Sequence, residues 1–129
     1  MNNVKAPYNL SSLTSERATQ ALQSMDVLRT NIGKIMSERT RVKAALEKLP
    51  FVVRVCHSDA NFLLFQMKDH AQATYKAMAD TFGVVSRYRG TEKHCEECIR
   101  VTVGTKEDNE AFLEAIGKAY GMVSGVVAL

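Results

Sequence analysis

A five-residue segment contains the side chains best suited to bind a metal or to form a redox pair. His94, Cys95 and Cys98 supply one imidazole and two thiols, but a structural zinc site takes four ligands. The other candidates are isolated in the chain: Cys56, His57 and His70. A thioredoxin-like pair opens a helix, whereas Cys98 opens a predicted strand. We therefore predict a loop without a metal, in which Cys98 is the first buried residue of a strand.

The residue types of a hydrolytic triad occur together as His57, Ser58 and Asp59. Three adjacent residues in a turn do not readily form the hydrogen-bond chain that links serine, histidine and aspartate in such enzymes. Their composition is typical of a polar turn between two strands. We predict a turn here and no nucleophile.

Three arginines are candidates for anion binding. Arg100 lies within a predicted strand between Ile99 and Val101, and Arg87 and Arg89 lie on or just after the preceding strand. The planar guanidinium group can bind a carboxylate or a phosphate through two parallel hydrogen bonds. A solvated strand face or an internal ion pair would explain the same arginines, and the spacing leaves these interpretations open.

Composition limits the class of protein to which these residues belong. The chain has 129 residues, of which 46% are hydrophobic, and a formal net charge of +3. This length suits a single domain over residues 1–129, and the charge is too small to predict a nucleic-acid partner. The chain has three cysteines, no signal-like segment near Met1 and no apolar run of about 18 residues. We therefore expect a cytoplasmic protein without a membrane span.

The N-terminal 11 residues are predicted to form an extended arm, because Pro7 lacks an N–H group and restricts the residue before it. Ser11 or Ser12 can cap a helix that continues to about Gln23. This helix is polar, with a few apolar residues interspersed.

A long amphipathic helix is predicted from Asp26 to Leu49. Its apolar residues recur three or four positions apart, with arginines and lysines between them. Pro50 ends this helix, because the residue before a proline is pushed out of the helical region. Residues 12–50 are therefore expected to form a helical segment.

Residues 51–122 are expected to form a sheet with helices packed on it, followed by a tail over residues 123–129. The β-rich runs predict four strands: 52–56, 61–67, 84–88 and 99–103. In the last strand, Ile99, Val101 and Val103 would share the apolar face, and Arg100 would point to the opposite face.

Two further helices are predicted between and after these strands. Asp69 and Gln72 resemble a capping box for a helix that ends at Gly83. Thr105 can cap the last helix, with Gly121 just beyond its end. The element order predicts an α+β fold: a small, largely antiparallel sheet covered by helices and preceded by one or two N-terminal helices.

One motif, residues 98–105 (CIRVTVGT), is specific enough to indicate a family. Three other segments accompany it: residues 6–11 (APYNLS), 58–64 (SDANFLL) and 83–87 (GVVSR). In this order the four segments resemble the C-terminal small domain of histidinol-phosphate aminotransferases, which are class I and II pyridoxal-phosphate-dependent enzymes. The resemblance covers nearly the whole chain.

The resemblance implies substrate-binding roles for two arginines. Arg100 matches the motif arginine that faces the active site and holds a carboxylate or another anionic group. Arg87 matches an arginine that helps to hold the substrate phosphate. Asn61, Tyr8 and Asn9 match residues that are structural or support the site. The implied substrates are histidinol phosphate or imidazole-acetol phosphate, with glutamate or 2-oxoglutarate.

In this family, the lysine that forms a Schiff base with pyridoxal phosphate and the residues that hold the cofactor phosphate precede the segment that matches residues 6–11. We therefore expect the chain to be inactive and to hold no cofactor by itself. Its expected partners are the missing large domain of the same enzyme and a second subunit in a homodimer.

Tyr88, Arg89 and Cys95 depart from the family pattern, so alternatives to this substrate assignment stay open. The first is another phospho-amino-acid enzyme similar to threonine-phosphate decarboxylase. The second is a free-standing, non-catalytic interaction module descended from the same domain. A metal-binding module built on His94, Cys95 and Cys98 is a third.

Overall fold

The computed structural model describes residues 9–125. The sequence predicts one domain over residues 1–129, and the chain divides into two compact units between Gly33 and Lys34. The described elements follow the predicted order of two helices, two strands, a helix, two strands and a helix. Within residues 9–125, no helix is long and apolar enough to cross a bilayer.

The first unit contains helix α1, Ser12–Gln23, and the beginning of helix α2, Met25–Leu46. Ser11 caps α1, because its backbone is extended and its hydroxyl accepts a hydrogen bond from the Thr14 N–H at 3.1 Å. This contact confirms the predicted start of α1. Residues 1–8 of the predicted arm lie outside the described residues.

Helix α2 ends at Leu46, so the predicted end at Leu49 is wrong. The Lys48 N–H donates to the Ala45 carbonyl at 3.2 Å, and the Leu49 N–H donates to the Leu46 carbonyl at 3.0 Å. These bonds to the third preceding residue tighten the chain into turns before Pro50. The helix therefore ends in these turns three residues before the residue that Pro50 restricts.

The second unit is built on an antiparallel sheet with the strand order β1-β2-β4-β3. Its strands are β1, Val52–Val55; β2, Phe62–Met67; β3, Arg87–Tyr88; and β4, Cys98–Thr102. The part of α2 from Lys34 onwards and the helices α3, Ala71–Phe82, and α4, Lys106–Ser124, complete the unit. This arrangement confirms the predicted α+β fold.

The core lies between one face of the sheet and the helices. Phe65 and Ile99 are fully buried and pair across β2 and β4, and the Phe65 ring lies 6.2 Å from the Phe112 ring of α4. Val101 and Val103 are buried as well, which confirms the predicted apolar face of the last strand. Burial of a side chain such as Phe65 contributes about 1.5–3 kcal/mol.

Strand β3 is shorter than the predicted strand over residues 84–88. Gly83 ends helix α3 in the left-handed conformation, with φ of 66°. The Val84 N–H then donates to the Met78 carbonyl at 3.0 Å. Because this bond closes the end of the helix, Val84 does not pair in the sheet.

The capping box predicted from Asp69 and Gln72 is wrong. His70 is the N-cap residue of α3, with φ of 56°, and its side chain makes no capping hydrogen bond. The Ala71 N–H instead donates to the Glu97 carboxylate at 2.7 Å. The cap therefore comes from the loop before β4.

Helix α4 begins as predicted, because Thr105 and Asp108 form a reciprocal capping box. Its predicted end near Gly121 is wrong. The helix continues to Ser124, and Gly125 is the C-cap residue, with φ of 70°. The helix thus extends into the segment predicted as a tail, of which residues 126–129 lie outside the described part of the chain.

Candidate functional site

Arg87 and Arg100 lie side by side on the sheet face that points away from the core. Arg87 is directly opposite Arg100 across β3 and β4, and Arg100 is opposite Leu64 of β2. Side chains of directly opposed residues in antiparallel strands project to the same face. The strand register therefore brings together the two arginines that the sequence predicts as site residues.

The guanidinium group of Arg100 is held against an aromatic ring. Its central carbon lies 5.0 Å from the centroid of Phe62, within the range of a cation–π interaction. Its Nε atom is buried and has no hydrogen-bond partner among residues 9–125. A buried donor without an acceptor costs about 1–3 kcal/mol. An acceptor atom from a bound anion would remove this cost.

A cavity of about 260 Å³ lies beside Arg100. Its lining residues are Phe62, Leu64, Arg89, Glu92, Cys95 and Arg100. Arg89 extends the β3–β4 pairing, because its N–H donates to the Cys98 carbonyl at 2.8 Å. Its guanidinium group donates to Glu92 Oε1 at 2.6 Å. Glu92 therefore compensates the charge of Arg89.

The positive charge of the other two arginines is not compensated in the same way. Within the described part of the chain, neither Arg87 nor Arg100 forms a salt bridge. Arg54 lies on the same sheet face, where its Nε donates to the neutral Gln66 side chain at 3.0 Å. The face is therefore suited to an anionic ligand.

Two features of this site were not predicted from the sequence. The sequence pattern places Phe62 in a strand, but its contact with Arg100 depends on the pairing of β2 with β4. The second feature is the ion pair between Arg89 and Glu92, for which the spacing of three residues is a local signal in the sequence. No comparable local signal exists for Phe62.

The remaining residues implied by the resemblance lie outside this cavity. The Asn61 carbonyl accepts a hydrogen bond from the Val103 N–H at 2.8 Å, a backbone contact that extends the β2–β4 pairing. Asn9 is exposed in the first unit, and Tyr8 lies outside the described residues. Supporting roles for these three residues stay predictions.

The segment with the residue types of a hydrolytic triad forms a turn, as predicted. The Ser58 hydroxyl donates to the Phe62 carbonyl at 2.6 Å and accepts from the Ala60 N–H at 3.2 Å. His57 Nε2 lies 3.3 Å from Asp59 Oδ2, and both side chains are exposed. Both hydrogen bonds of the serine therefore hold the turn.

Cys98 is the first residue of β4 and is buried, as predicted. Burial raises the pKa of its thiol to about 11, and the nearby Cys95 contributes in the same direction. The Cys98 side chain is therefore a neutral thiol near pH 7. Within residues 9–125, no group of three or more histidine, cysteine, aspartate or glutamate side chains is placed to hold a metal ion.

The chain matches known proteins over most of its length. The model of the family described as aminotransferase class I and II matches residues 1–116. A histidinol-phosphate aminotransferase from Christiangramia forsetii is 36% identical over 115 residues, which cover 89% of this chain and 32% of that relative. The chain spans about a third of the length of the curated relatives it matches.

Solved structures show the same fold. The histidinol-phosphate aminotransferase from Clostridium acetobutylicum has a TM-score of 0.81 and 21% identity, over 93% of this chain and 36% of that chain. The L-threonine-O-3-phosphate decarboxylase from Porphyromonas gingivalis has a TM-score of 0.62 and 24% identity, over 67% of this chain and 27% of that chain. Because the family model also matches most of the sequence, the chain belongs to the aminotransferase class I and II family.

Proposed function

We propose that this chain is the substrate-binding small domain of a histidinol-phosphate aminotransferase. The reaction would transfer an amino group between histidinol phosphate and 2-oxoglutarate. The observation that carries the proposal is the pair Arg87 and Arg100, which face each other without a carboxylate partner among the described residues. Directly opposed like charges are unfavourable in a sheet, and a bound anion would make this arrangement favourable.

The two arginines would have distinct parts in binding. Arg100 is partly buried against Phe62, so its guanidinium group is held in place to bind one anionic group of the substrate. Arg87 is exposed at the edge of the sheet and would add a second positive charge. Together they would orient the substrate so that its amine or ketone is held at the reacting position.

The proposed cofactor is pyridoxal phosphate, which when bound supplies an electron sink for amino transfer. The cavity beside Arg100 does not fit a covalently held cofactor, because no lysine is among its lining residues. We place the lysine and the cofactor-phosphate site in the large domain of the parent enzyme. Inactivity of the chain alone, a homodimeric parent and a cytoplasmic location are parts of the same proposal.

A second candidate is a phospho-amino-acid decarboxylase of the same family. Its support is the likeness of this fold to the L-threonine-O-3-phosphate decarboxylase from Porphyromonas gingivalis. That likeness covers a smaller part of the chain than the likeness to the aminotransferase from Clostridium acetobutylicum. An interaction module without catalysis has no comparable support.

The test is substitution of Arg100 in a full-length protein that carries this chain. Arg100→Lys keeps the charge but loses the planar fork, and Arg100→Gln loses the charge. Removing one partner of a buried charged contact costs about 2–5 kcal/mol, which corresponds to a loss of about 30-fold to several thousand-fold in kcat/KM. Aminotransferase kinetics with histidinol phosphate and 2-oxoglutarate would measure this loss.

A matched control is Arg17→Lys, because Arg17 is exposed on α1 and, among residues 9–125, its side chain donates to Gln20 alone. We expect near-parental kcat/KM for this variant. The proposal fails if both Arg100 variants keep near-parental kcat/KM and normal cofactor content. Decarboxylation of a phosphorylated amino acid without amino transfer would favour the second candidate.

A further inference from the structure

The two thiols that precede and begin β4 take no part in the proposed anion binding. We propose that Cys95 and Cys98 form a redox-active pair: exchange with a low-molecular-weight disulfide, such as oxidised glutathione, closes an intramolecular bond in the loop beside the Arg100 cavity. Backbone geometry, side-chain placement and the position of the third cysteine support this pairing.

The backbone already brings the two residues together. The Cys98 N–H donates to the Cys95 carbonyl at 3.0 Å, which closes a four-residue turn. The ends of such a turn lie within about 7 Å of each other, measured between Cα atoms. A disulfide spans Cα separations of about 4.4–6.8 Å. The two cysteines can therefore be joined with little movement of the chain.

This turn is anchored on both sides. The Cys95 N–H donates to the Glu92 carbonyl at 3.1 Å. Within the turn, the Glu97 carbonyl accepts from the Met67 N–H at 2.9 Å, and the Glu97 carboxylate accepts from the Ala71 N–H at 2.7 Å. The turn therefore holds the two cysteines close together before any reaction.

Both thiols lie on the same side of the sheet. Cys98 is two residues before Arg100 in β4, so the two side chains project to the same face. Cys95 lines the cavity together with Arg100. Cys95 is half-buried, whereas Cys98 is only 1% exposed. Cys95 is therefore the thiol that a reagent in solution can reach first.

The third cysteine is poorly placed to compete. The Cys56 N–H donates to the Leu64 carbonyl of β2, so Cys56 lies beyond the end of β1 on the far side of β2 from β4. Two strands separated by a third are about 9.5 Å apart. This spacing exceeds the reach of a disulfide without backbone movement. The strand order therefore favours Cys95 over Cys56 as the partner of Cys98.

The exchange takes two balanced steps. The Cys95 thiolate attacks one sulfur of the reagent disulfide, a new S–S bond forms, and one reagent thiolate leaves. The buried Cys98 thiol then attacks the Cys95 sulfur and gives its proton to the departing reagent thiolate, so the second reagent molecule leaves as a thiol. The two cysteines together lose two electrons, and the reagent disulfide is reduced to two thiols.

The charge of the cavity favours an anionic reagent. Arg100 lines the cavity beside Cys95 and, unlike Arg89, has no salt-bridge partner among residues 9–125, so it can attract a carboxylate of oxidised glutathione. Once the pair is oxidised, the Cys95 sulfur is bonded to Cys98 and the wall of the cavity changes beside Arg100. The pair would thereby couple the redox state of the surroundings to this cavity.

The experiment exposes the folded chain to oxidised glutathione, quenches it with acid, labels the free thiols and maps the tryptic peptides by mass. Trypsin cuts after Lys93 and Arg100, which places both cysteines in the peptide 94–100 and Cys56 in the peptide 55–68. We expect the peptide 94–100 to lose two hydrogen atoms and to carry no label. The peptide 55–68 should stay labelled.

Two variants test the order of the steps. Cys56→Ala should give the same linked peptide 94–100, because Cys56 takes no part. Cys98→Ala should stop with glutathione attached to Cys95, because the second thiol is missing. The proposal is overturned if the unsubstituted chain keeps two labels on the peptide 94–100, stops at a mixed disulfide, or links Cys56. These results do not depend on whether Cys98→Ala folds.

Discussion

At the scale of single residues, Glu38 connects helix α2 with the start of α4. The Arg41 guanidinium group donates to both oxygens of its carboxylate, at 2.9 and 2.7 Å. Asn109 Nδ2 donates to Glu38 Oε2 at 2.9 Å, and Asn109 Oδ1 accepts from the Gly104 N–H at 3.0 Å. The hydrogen bonds from Arg41 and then Asn109 lower the pKa of Glu38 from 4.5 to about 2.

This lowered pKa predicts an acid-dependent loss of stability. A carboxylate whose pKa is lower in the folded than in the unfolded chain stabilises the fold fully above the unfolded value. The contribution of Glu38 should therefore be present above about pH 4.5 and be lost as the pH falls towards 2. Glu38→Gln should unfold at lower urea than the unsubstituted chain at pH 7, and the difference should shrink at pH 3.

Urea unfolding followed by circular dichroism at the two pH values would measure this difference. Glu47→Gln is a suitable control, because Glu47 is an exposed residue whose one ion-pair partner in the described part of the chain is Lys43. A difference between Glu38→Gln and the unsubstituted chain that stays constant from pH 7 to pH 3 would contradict the prediction.

At the scale of elements, the start of α3 depends on a residue from a distant loop. Glu97, in the left-handed conformation with φ of 55°, accepts the Ala71 N–H at the first turn of the helix. Loss of a capping acceptor costs about 0.5–2 kcal/mol. We expect Glu97→Ala to lower the unfolding free energy by this amount and to speed hydrogen exchange in the first turn of α3.

The neighbouring Glu96→Ala provides the control. The Glu96 backbone carbonyl accepts a hydrogen bond from Gln66, and this contact does not need the Glu96 side chain. We expect this variant to unfold like the unsubstituted chain. Equal hydrogen exchange in the two variants would show that the Glu97 carboxylate does not stabilise α3.

The caps show how far sequence reasoning could go. The start of α4 was predictable because Thr105 and Asp108 lie three residues apart and cap each other. The start of α3 was not, because its cap comes from Glu97, which no local pattern connects with Ala71. The start of a helix that is capped by a neighbouring residue can therefore be predicted from one sequence, and the start of a helix that is capped by a distant residue cannot.

The same distinction applies to the candidate site. Alternation along β4 predicted that Arg100 points away from the core, and the structure confirms this. That Arg87 stands directly opposite Arg100 depends on the register of β3 against β4. That Phe62 packs on Arg100 depends on the strand order, which pattern alone does not give.

At the scale of the whole molecule, the first unit has a large amount of exposed apolar surface. Leu22 is 68% exposed and Leu28 is 45% exposed, and Leu13 and Ile32 are exposed as well. Apolar patches of this kind favour association between proteins. We expect the chain to associate as its concentration rises and to bind a hydrophobic dye.

Sedimentation velocity over a range of concentrations would detect this association. The double substitution of Leu22→Gln and Ile32→Gln should shift the distribution towards monomer and reduce dye binding. Val85→Thr is the control, because Val85 is 70% exposed in the second unit and is outside this surface. A chain that stays monomeric at high concentration and binds no dye would contradict the prediction.

The strand order also has a consequence for the time course of folding. The sheet consists of two hairpins, β1–β2 and β3–β4, joined where β2 pairs with β4. Each hairpin closes a short loop. The pairing of β2 with β4 instead joins strands that are separated in the sequence by α3 and β3, and contacts between residues far apart in the chain form more slowly than contacts within a hairpin. During synthesis, β2 therefore has an open edge until β4 emerges from the ribosome, and such edges are prone to aggregation. Because Phe62 lies in β2 and Arg100 in β4, their contact spans this pairing, and we expect the candidate site to be completed late in folding.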